Sequence, residues 1–231
     1  MSRARILDPH AVPVVGTDTH LPGVDPRRLT PAALRERFAV PPAWQPEFLG
    51  DGRQFAERDP AHASVLVPLV DRGDSVNVLL TQRTDHLRDH AGQISFPGGR
   101  AETHDEDAVA TALREAQEEV GIAPQRVEVI GTLPTYTTIT AFVVTPVVAL
   151  IQPPLTLTLD TFEVAEAFEV PLSFLMTPSN HQHHRFEMDG RRREFYSMPW
   201  EATGPDGQPR RYFIWGATAA MLRNLYRMLI A

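Results

Sequence analysis

The sequence predicts an α+β domain, and three observations carry the prediction. Apolar runs of strand length, Val65–Val70 and Val76–Thr81, flank the turn Arg72-Gly73-Asp74. Val109, Ala112, Leu113, Ala116 and Val120 then repeat at helical spacing. Two further strand-like runs follow, Val127–Ile130 and Ala141–Leu150, and an amphipathic segment from about Trp215 to Leu229 closes the chain. Strands and helices that do not alternate strictly are the pattern of an α+β fold.

Residues 1 to about 60 are rich in proline and arginine and carry little periodicity. Thr30-Pro31 predicts an N-cap followed by a first-turn proline, opening a short helix through Leu34 and Phe38 that stops before Pro41-Pro42. This arm holds too few apolar residues to fold alone, so residues 1–60 are expected as an extension packed on a core of residues 61–231. Within that core, Pro68 suggests an edge strand or a bulge. Gln82 to Thr103 reads as a loop rich in charge and glycine. Thr103 with Glu106 makes a capping-box pattern for the helix, and Gly121 suits its C-terminal end. Glu163–Val170 fits either a strand or a short helix by period alone. Arg185–Tyr196 predicts a hairpin around Asp189-Gly190, and Gly204–Gly207 a second turn.

Composition removes several function classes. The net charge of −7 argues against non-specific binding to nucleic acid or to an anionic membrane. It leaves an anionic small-molecule substrate open, because metal ions and local arginines can invert the field at a site. The chain has no cysteine, which excludes disulfides, thiol catalysis and zinc–thiolate centres. No apolar run approaches the ~18–20 residues of a membrane span, and no signal-peptide core is evident, so a cytoplasmic location is expected.

The chemistry concentrates in Arg114–Ile122. Glu115, Glu118 and Glu119 lie within five residues at the end of the helix, at spacings that place them on one face. Like charges so placed destabilise a helix, and a helix C-terminus disfavours anions further. A solvated charged face is the usual fate of such glutamates. The clustering points instead to a bound hard cation; magnesium commonly joins protein carboxylates to substrate phosphates. Phe96-Pro97-Gly98-Gly99 lies just upstream. Alone it is an ordinary turn; beside the carboxylates it suggests close approach of backbone to a ligand. The intervening loop carries Arg83, His86, Arg88, His90 and Arg100, which could supply positive charge to a multi-phosphate substrate.

These residues resemble the signature of the Nudix hydrolases. That signature is a glycine, five residues, a glutamate, seven residues, then Arg-Glu-apolar-any-Glu-Glu-any-Gly-apolar. Its second half matches at Arg114, Glu115, Ala116, Glu118, Glu119, Gly121 and Ile122. The first half is one residue too long. Glu106 keeps the distance to Arg114 and Asp105 keeps the distance to Gly99, so the first acidic position is open between them. The longer box is similar to that of the coenzyme A pyrophosphatase branch. So is the upstream run Leu79-Leu80-Thr81-Gln82-Arg83-Thr84, then Arg88, Gly92 and Phe96–Gly99, in which only Thr84 departs, where the branch has serine or alanine. Glu163-Val164, Phe168–Leu172, Phe213–Gly216 and Thr218-Ala219 also look like this branch. The likeness spans roughly residues 64–225.

The resemblance implies a Nudix fold, a mixed β-sheet sandwiched between helices in α/β/α layers. It implies a metal-dependent pyrophosphohydrolase that cleaves coenzyme A and its derivatives to 3′,5′-ADP and 4′-phosphopantetheine. Glu115, Glu118 and Glu119 would hold Mg2+ or Mn2+, and Arg114 would orient a box glutamate. Glu118 or Glu163 would act as general base. Arg83 and Arg88 would contact phosphates, and Gly98 and Gly99 would admit the substrate to the backbone. Hydrolysis of ADP-ribose, NADH or a dinucleoside polyphosphate is the neighbouring alternative, and a non-catalytic nucleotide-binding module the more distant one. Three smaller features read more simply. His181, His183 and His184 are expected in a solvated loop, and Arg191-Arg192-Arg193 as surface charge at a hairpin tip. Tyr136 stands about where a tyrosine marks diadenosine-polyphosphate hydrolases, a weak sign alone.

Overall fold

A computed structural model describes residues 8–50, 60–87, 90–188, 191–204 and 206–231. Its strands are β1 (Val14–Thr17), β2 (Ala61–Asp71), β3 (Val76–Arg83), β4 (Ile94–Ser95), β5 (Gly98–Arg100), β6 (Val127–Thr132), β7 (Tyr136–Thr137), β8 (Phe142–Ile151), β9 (Val164–Pro171), β10 (Gln182–Met188), β11 (Arg191–Thr203) and β12 (Pro209–Trp215). The α-helices are α1 (Pro31–Ala39), α2 (Ala108–Val120), α3 (Leu172–Leu175) and α4 (Gly216–Ile230).

The central sheet is mixed. It runs β4-β3-β2-β8-β6, with β5 on β2, β7 on β8 and β9 on β3, and only the β2–β8 pair is parallel. Strand alternation divides its side chains between two cores. Leu66 and Val70 of β2, with Val147, Ala149 and Ile151 of β8, pack under Ala112, Ala116 and Val120 of α2. Val67 and Leu69, with Val148 and Leu150, face the opposite way into a core shared with Leu222, Leu225 and Leu229 of α4 and Leu34 of α1. The layers are thus α/β/α, and a four-stranded antiparallel sheet, β1-β10-β11-β12, joins the α4 layer.

Several elements form as the sequence predicts. Thr30 Oγ1 accepts from Ala33 N and caps α1. The β2–β3 turn closes through Arg72 N to Ser75 O. Gly121 ends α2 in the left-handed conformation, φ 72°. The segment of undecided period, Val164–Pro171, is a strand, because β3 pairs with it along its length.

Other expectations are corrected. Pro68 lies in a central strand. Leu66 N donates to Pro97 O, and alternation turns Pro68 to that same side, in the interval between the β5 pairing at Ala63–Val65 and the β3 pairing at Leu69–Asp71. Its missing N–H therefore falls where β2 changes partners. The stretch after Gln82 is not one long loop: β3 continues to Arg83, and β4 and β5 follow, too short for any period to reveal them. The histidines are not solvated. His181 and His184 are buried, and His183 Nε2 lies 2.9 Å from Asp18 Oδ1.

Those histidines belong to a polar network that ties the arm to the last helix. Arg223 of α4 is 1% exposed. Its Nη1 lies 2.8 Å from Asp18 Oδ2, its Nε donates to Glu47 Oε2 at 2.8 Å, and Nη1 donates to His181 Nδ1 at 3.0 Å. Its guanidinium also stacks between Tyr196 and Tyr226. Asn224 Oδ1 accepts from Glu47 N and Phe48 N, and its Nδ2 donates to Phe48 O. Among the described residues no helix is long and apolar enough to cross a membrane.

Candidate active site

The site forms where α2 meets β5, the end of β3 and the turn before β9. Asp107, not the Thr103/Glu106 pair, caps α2: its Oδ1 accepts from Ala110 N at 2.8 Å. Asp105 sits two residues earlier, in a turn fixed by Glu102 N and by Thr111 Oγ1, both donating to Asp105 Oδ2. That turn aims Asp105 at Arg114. Nε and Nη2 of Arg114 donate to the two carboxylate oxygens at 3.0 and 2.9 Å. The guanidinium holds the Asp105 carboxyl well below the usual range. Of the two acidic candidates left open by the spacing, Asp105 makes this pair.

Arg114 has further duties. Its Nη1 donates to Glu115 Oε1 at 2.8 Å and to Glu118 Oε2 at 3.0 Å, and its Nη2 donates to Arg100 O at 3.1 Å. One side chain thereby fixes three carboxylates and the strand that precedes the helix.

The three helix glutamates, expected together on one face, differ in environment. Glu118 is exposed, Glu115 is half-buried, and Glu119 is only 6% exposed. Glu119 lies seven residues after Ala112 and three after Ala116, so it falls on the inward face. Its Oε2 accepts from Gly98 N at 3.2 Å. Burial, with the charges of Glu115 and Glu163 added, pushes its carboxyl up to about 7 despite the Gly98 N–H and Arg83. Burial, with Glu118 and Glu163 nearby, also raises Glu115.

The Gly98-Gly99 pair is needed for close approach, but by the protein's own atoms. A Cβ on Gly98 would fall 2.4 Å from Ser64 O, and one on Gly99 2.5 Å from Glu115 Oε2. At Gly98 only glycine lets β5 lie against the β2 backbone, while at Gly99 a side chain would displace the Glu115 carboxylate.

Arg83 enters from the end of β3. Its Nη1 is 3.7 Å from Glu119 Oε1 and its Nη2 3.6 Å from Glu163 Oε2, while its buried Nε finds no hydrogen-bond partner among the described residues. Of the other basic-loop residues that are described, none pairs with these carboxylates. His86 packs on the Phe162 ring, and His90 Nδ1 bonds Gln93 Oε1. The Arg100 side chain is exposed, and Arg88 lies outside the described residues. Glu163, placed by the turn before β9, is thus drawn to the helix carboxylates through Arg83. Tyr136 is buried in the core opposite Val144 of β8. Arg192 pairs with Glu194 near the hairpin tip, whose residues 189 and 190 lie outside the described residues.

Charge balance tests whether a divalent cation fits here. Five carboxylates, of Asp105, Glu115, Glu118, Glu119 and Glu163, face two guanidiniums, of Arg83 and Arg114. The surplus is negative and offered by hard oxygen donors, two of which, Glu115 and Glu119, are raised mainly by burial. These donors suit Mg2+ or Mn2+. Among the described residues no three acidic or histidine side chains already converge into a cage.

The NUDIX domain model matches residues 60–190, which include Asp105, Glu115, Glu118, Glu119 and Glu163. The chain belongs to the Nudix family. Nudix relatives include an uncharacterized Nudix hydrolase NudL of Enterobacter sp. (strain 638), 42% identical over 163 residues, covering 71% of this chain and 80% of that one. Its counterpart in Salmonella newport (strain SL254) is 44% identical over 163 residues with the same coverage. A MutT/nudix family protein from Enterococcus faecalis, of known crystal structure, is 15% identical, with a TM-score of 0.45 over 87% of this chain and 75% of that one. Nudix membership carries a coarse activity, hydrolysis of a nucleoside diphosphate derivative with a divalent metal ion.

Proposed function

We propose that this Nudix hydrolase cleaves the pyrophosphate of coenzyme A and its derivatives, releasing 3′,5′-ADP and 4′-phosphopantetheine. The observation that carries the reading is the paired pattern in the sequence, a box one residue longer than usual together with the upstream run from Leu79 to Gly99. The geometry is compatible with it: with Asp105 as the partner of Arg114, the extra residue falls between the two, where Asp107 caps α2.

Glu115, Glu118 and Glu119 would hold Mg2+ or Mn2+. The ion supplies neutralisation of the pyrophosphate oxygens and an acidified water. Arg114 is a positioning residue: tied to Asp105 and Arg100 O, it sets the rotamers of Glu115 and Glu118. Arg83 takes a substrate phosphate with its two Nη groups, held only loosely at 3.7 and 3.6 Å by Glu119 and Glu163. Arg88 would contribute a second phosphate contact, and Gly98 N–H helps to place the Glu119 carboxylate. Glu163 is the stronger candidate for general base. Its nearest guanidinium nitrogen is 3.6 Å away, whereas Glu118 is already engaged by Arg114 at 3.0 Å.

The test is a substrate panel with and without the 3′-phosphate, in Mg2+ and Mn2+, with products weighed by mass spectrometry in oxygen-18 water. The expected result is preference for coenzyme A over ADP-ribose, NADH and dinucleoside polyphosphates, with label in one of the two named products. Preference for compounds lacking the 3′-phosphate would overturn the coenzyme A assignment and leave the hydrolase reading standing.

A further inference from the structure

Among the described residues Phe162 is the one aromatic side chain counted with the strongly exposed large hydrophobics, at 65%. A turn residue left in water is ordinarily free to vary, yet this one is clamped. Its N–H donates to Asp160 Oδ1 at 2.9 Å, and its carbonyl accepts from Thr84 Oγ1 at 2.8 Å. The next carbonyl, of Glu163, accepts from Thr84 N at 3.0 Å, and Asp160 N donates to Glu119 O at 2.9 Å. The turn is therefore fastened both to the end of β3 and to the carboxylate end of α2. The ring meets His86 at 4.8 Å between centroids, tilted by 58°.

Position gives this pair its meaning. Phe162 precedes Glu163, and His86 follows Arg83 by three residues, a span of at most ~10 Å. Glu163 and Arg83 are themselves 3.6 Å apart. The two rings thus stand beside the Arg83–Glu163 pair, each on the chain that carries one member of it. We infer that Phe162, backed by His86, is the platform on which the nucleobase of the substrate stacks. This rests on the reading that Arg83 and Glu163 border the bound pyrophosphate. Stacking asks only for a π-face held still, and it contributes ~1–3 kcal/mol per base where an aromatic side chain has been removed. A clamped, solvent-facing phenylalanine satisfies that requirement at little entropic cost. Thr84 gains a purpose here too, since its hydroxyl anchors the turn carrying the ring.

The experiment compares wild type with Phe162→Ala and Phe162→Tyr. Binding of 3′,5′-ADP, 4′-phosphopantetheine and inorganic pyrophosphate is measured by titration calorimetry, and hydrolysis of coenzyme A is followed in parallel. The alanine variant is expected to weaken 3′,5′-ADP by about 5- to 100-fold. Binding of the two ligands without a base should stay within about twofold, KM should rise more than kcat falls, and tyrosine should restore binding. Unchanged thermal melting confirms that the exposed ring was removed without cost to the fold. Equal loss for all three ligands, loss confined to 4′-phosphopantetheine, or no loss would each overturn the platform. If wild type fails to hydrolyse coenzyme A while base-dependent binding still needs Phe162, the substrate assignment falls and the platform stands. If wild type hydrolyses coenzyme A and the alanine variant binds 3′,5′-ADP normally, the reverse holds.

Discussion

Asp105 and Arg114 meet fork to fork, with Nε to Oδ1 at 3.0 Å and Nη2 to Oδ2 at 2.9 Å. The same guanidinium holds Glu115 and Glu118, so Asp105 governs two carboxylates it does not touch. Asp105→Asn should reduce activity by about 10- to 100-fold, the usual cost of losing a partner behind metal-binding groups. Glu106→Gln should stay within about twofold. Kinetics of the two variants side by side decide the matter; a larger loss at Glu106 would refute the assignment.

Glu119 is buried beside like charges, an arrangement that favours function over stability. Glu119→Gln is expected to lower turnover by on the order of 10³-fold. In metal-free buffer at pH 8 its melting temperature should equal or exceed that of wild type, because the amide removes a buried negative charge. Turnover near that of wild type would dismiss the metal site built on this residue.

Arg83 approaches two carboxylates without a close hydrogen bond to either, and its Nε is unpartnered. Hydrogen bonds to charged groups contribute ~1.5–3 kcal/mol. Arg83→Met should therefore lower kcat/KM by about 10- to 150-fold, and lysine should restore only part, since it lacks the planar fork. The discriminating measurement is product affinity. If 3′,5′-ADP binds the methionine variant as tightly as wild type, Arg83 does not touch phosphate.

His181 predicts an acid limb in stability. Its Nε2–H donates to Leu175 O and its Nδ1 accepts from Arg223 Nη1, so only the neutral ring fits. Burial drives its pKa down from 6.5 to about 4. Below 6.5 the unfolded chain takes up a proton that the folded chain refuses. The stability is complete above pH 6.5 and is lost as pH falls through 4, by on the order of 3 kcal/mol. Burial shifts His184 in the same direction, so it steepens the same limb. Denaturant unfolding between pH 7 and 4 should show that slope, and His181→Gln should flatten it by about one proton. An unchanged slope in the variant would show that His181 is not its source.

Much of the central sheet was legible because its strands are long and alternate cleanly: Leu66 and Val70 face α2 while Val67 and Leu69 face α4. Gly121 and Thr30 were legible because their signals are local. Other features depend on partners far along the chain. Val14–Thr17 is exposed throughout and becomes a strand only because β10 lies beside it. The capping pattern at Thr103 and Glu106 lost to Asp107, once the Thr103–Glu106 segment was bent to deliver Asp105. The burial of Glu119 is legible in its seven-residue spacing to Ala112, although the apolar stripe by itself passes over a glutamate. The histidines resembled a polar loop because the chain shows neither Asp18 nor Arg223 beside them.

The network around Arg223 also bears on how the protein is made. Glu47, which its Nε contacts, lies 176 residues upstream. Chains emerge from the ribosome N-terminus first and fold by units as they appear. Asp18, Glu47 and β1 must therefore wait, unpaired, until β10 and then α4 have been synthesised. The interior closes when Asp18 and Glu47 meet Arg223, so the native state cannot be completed before α4 has been made.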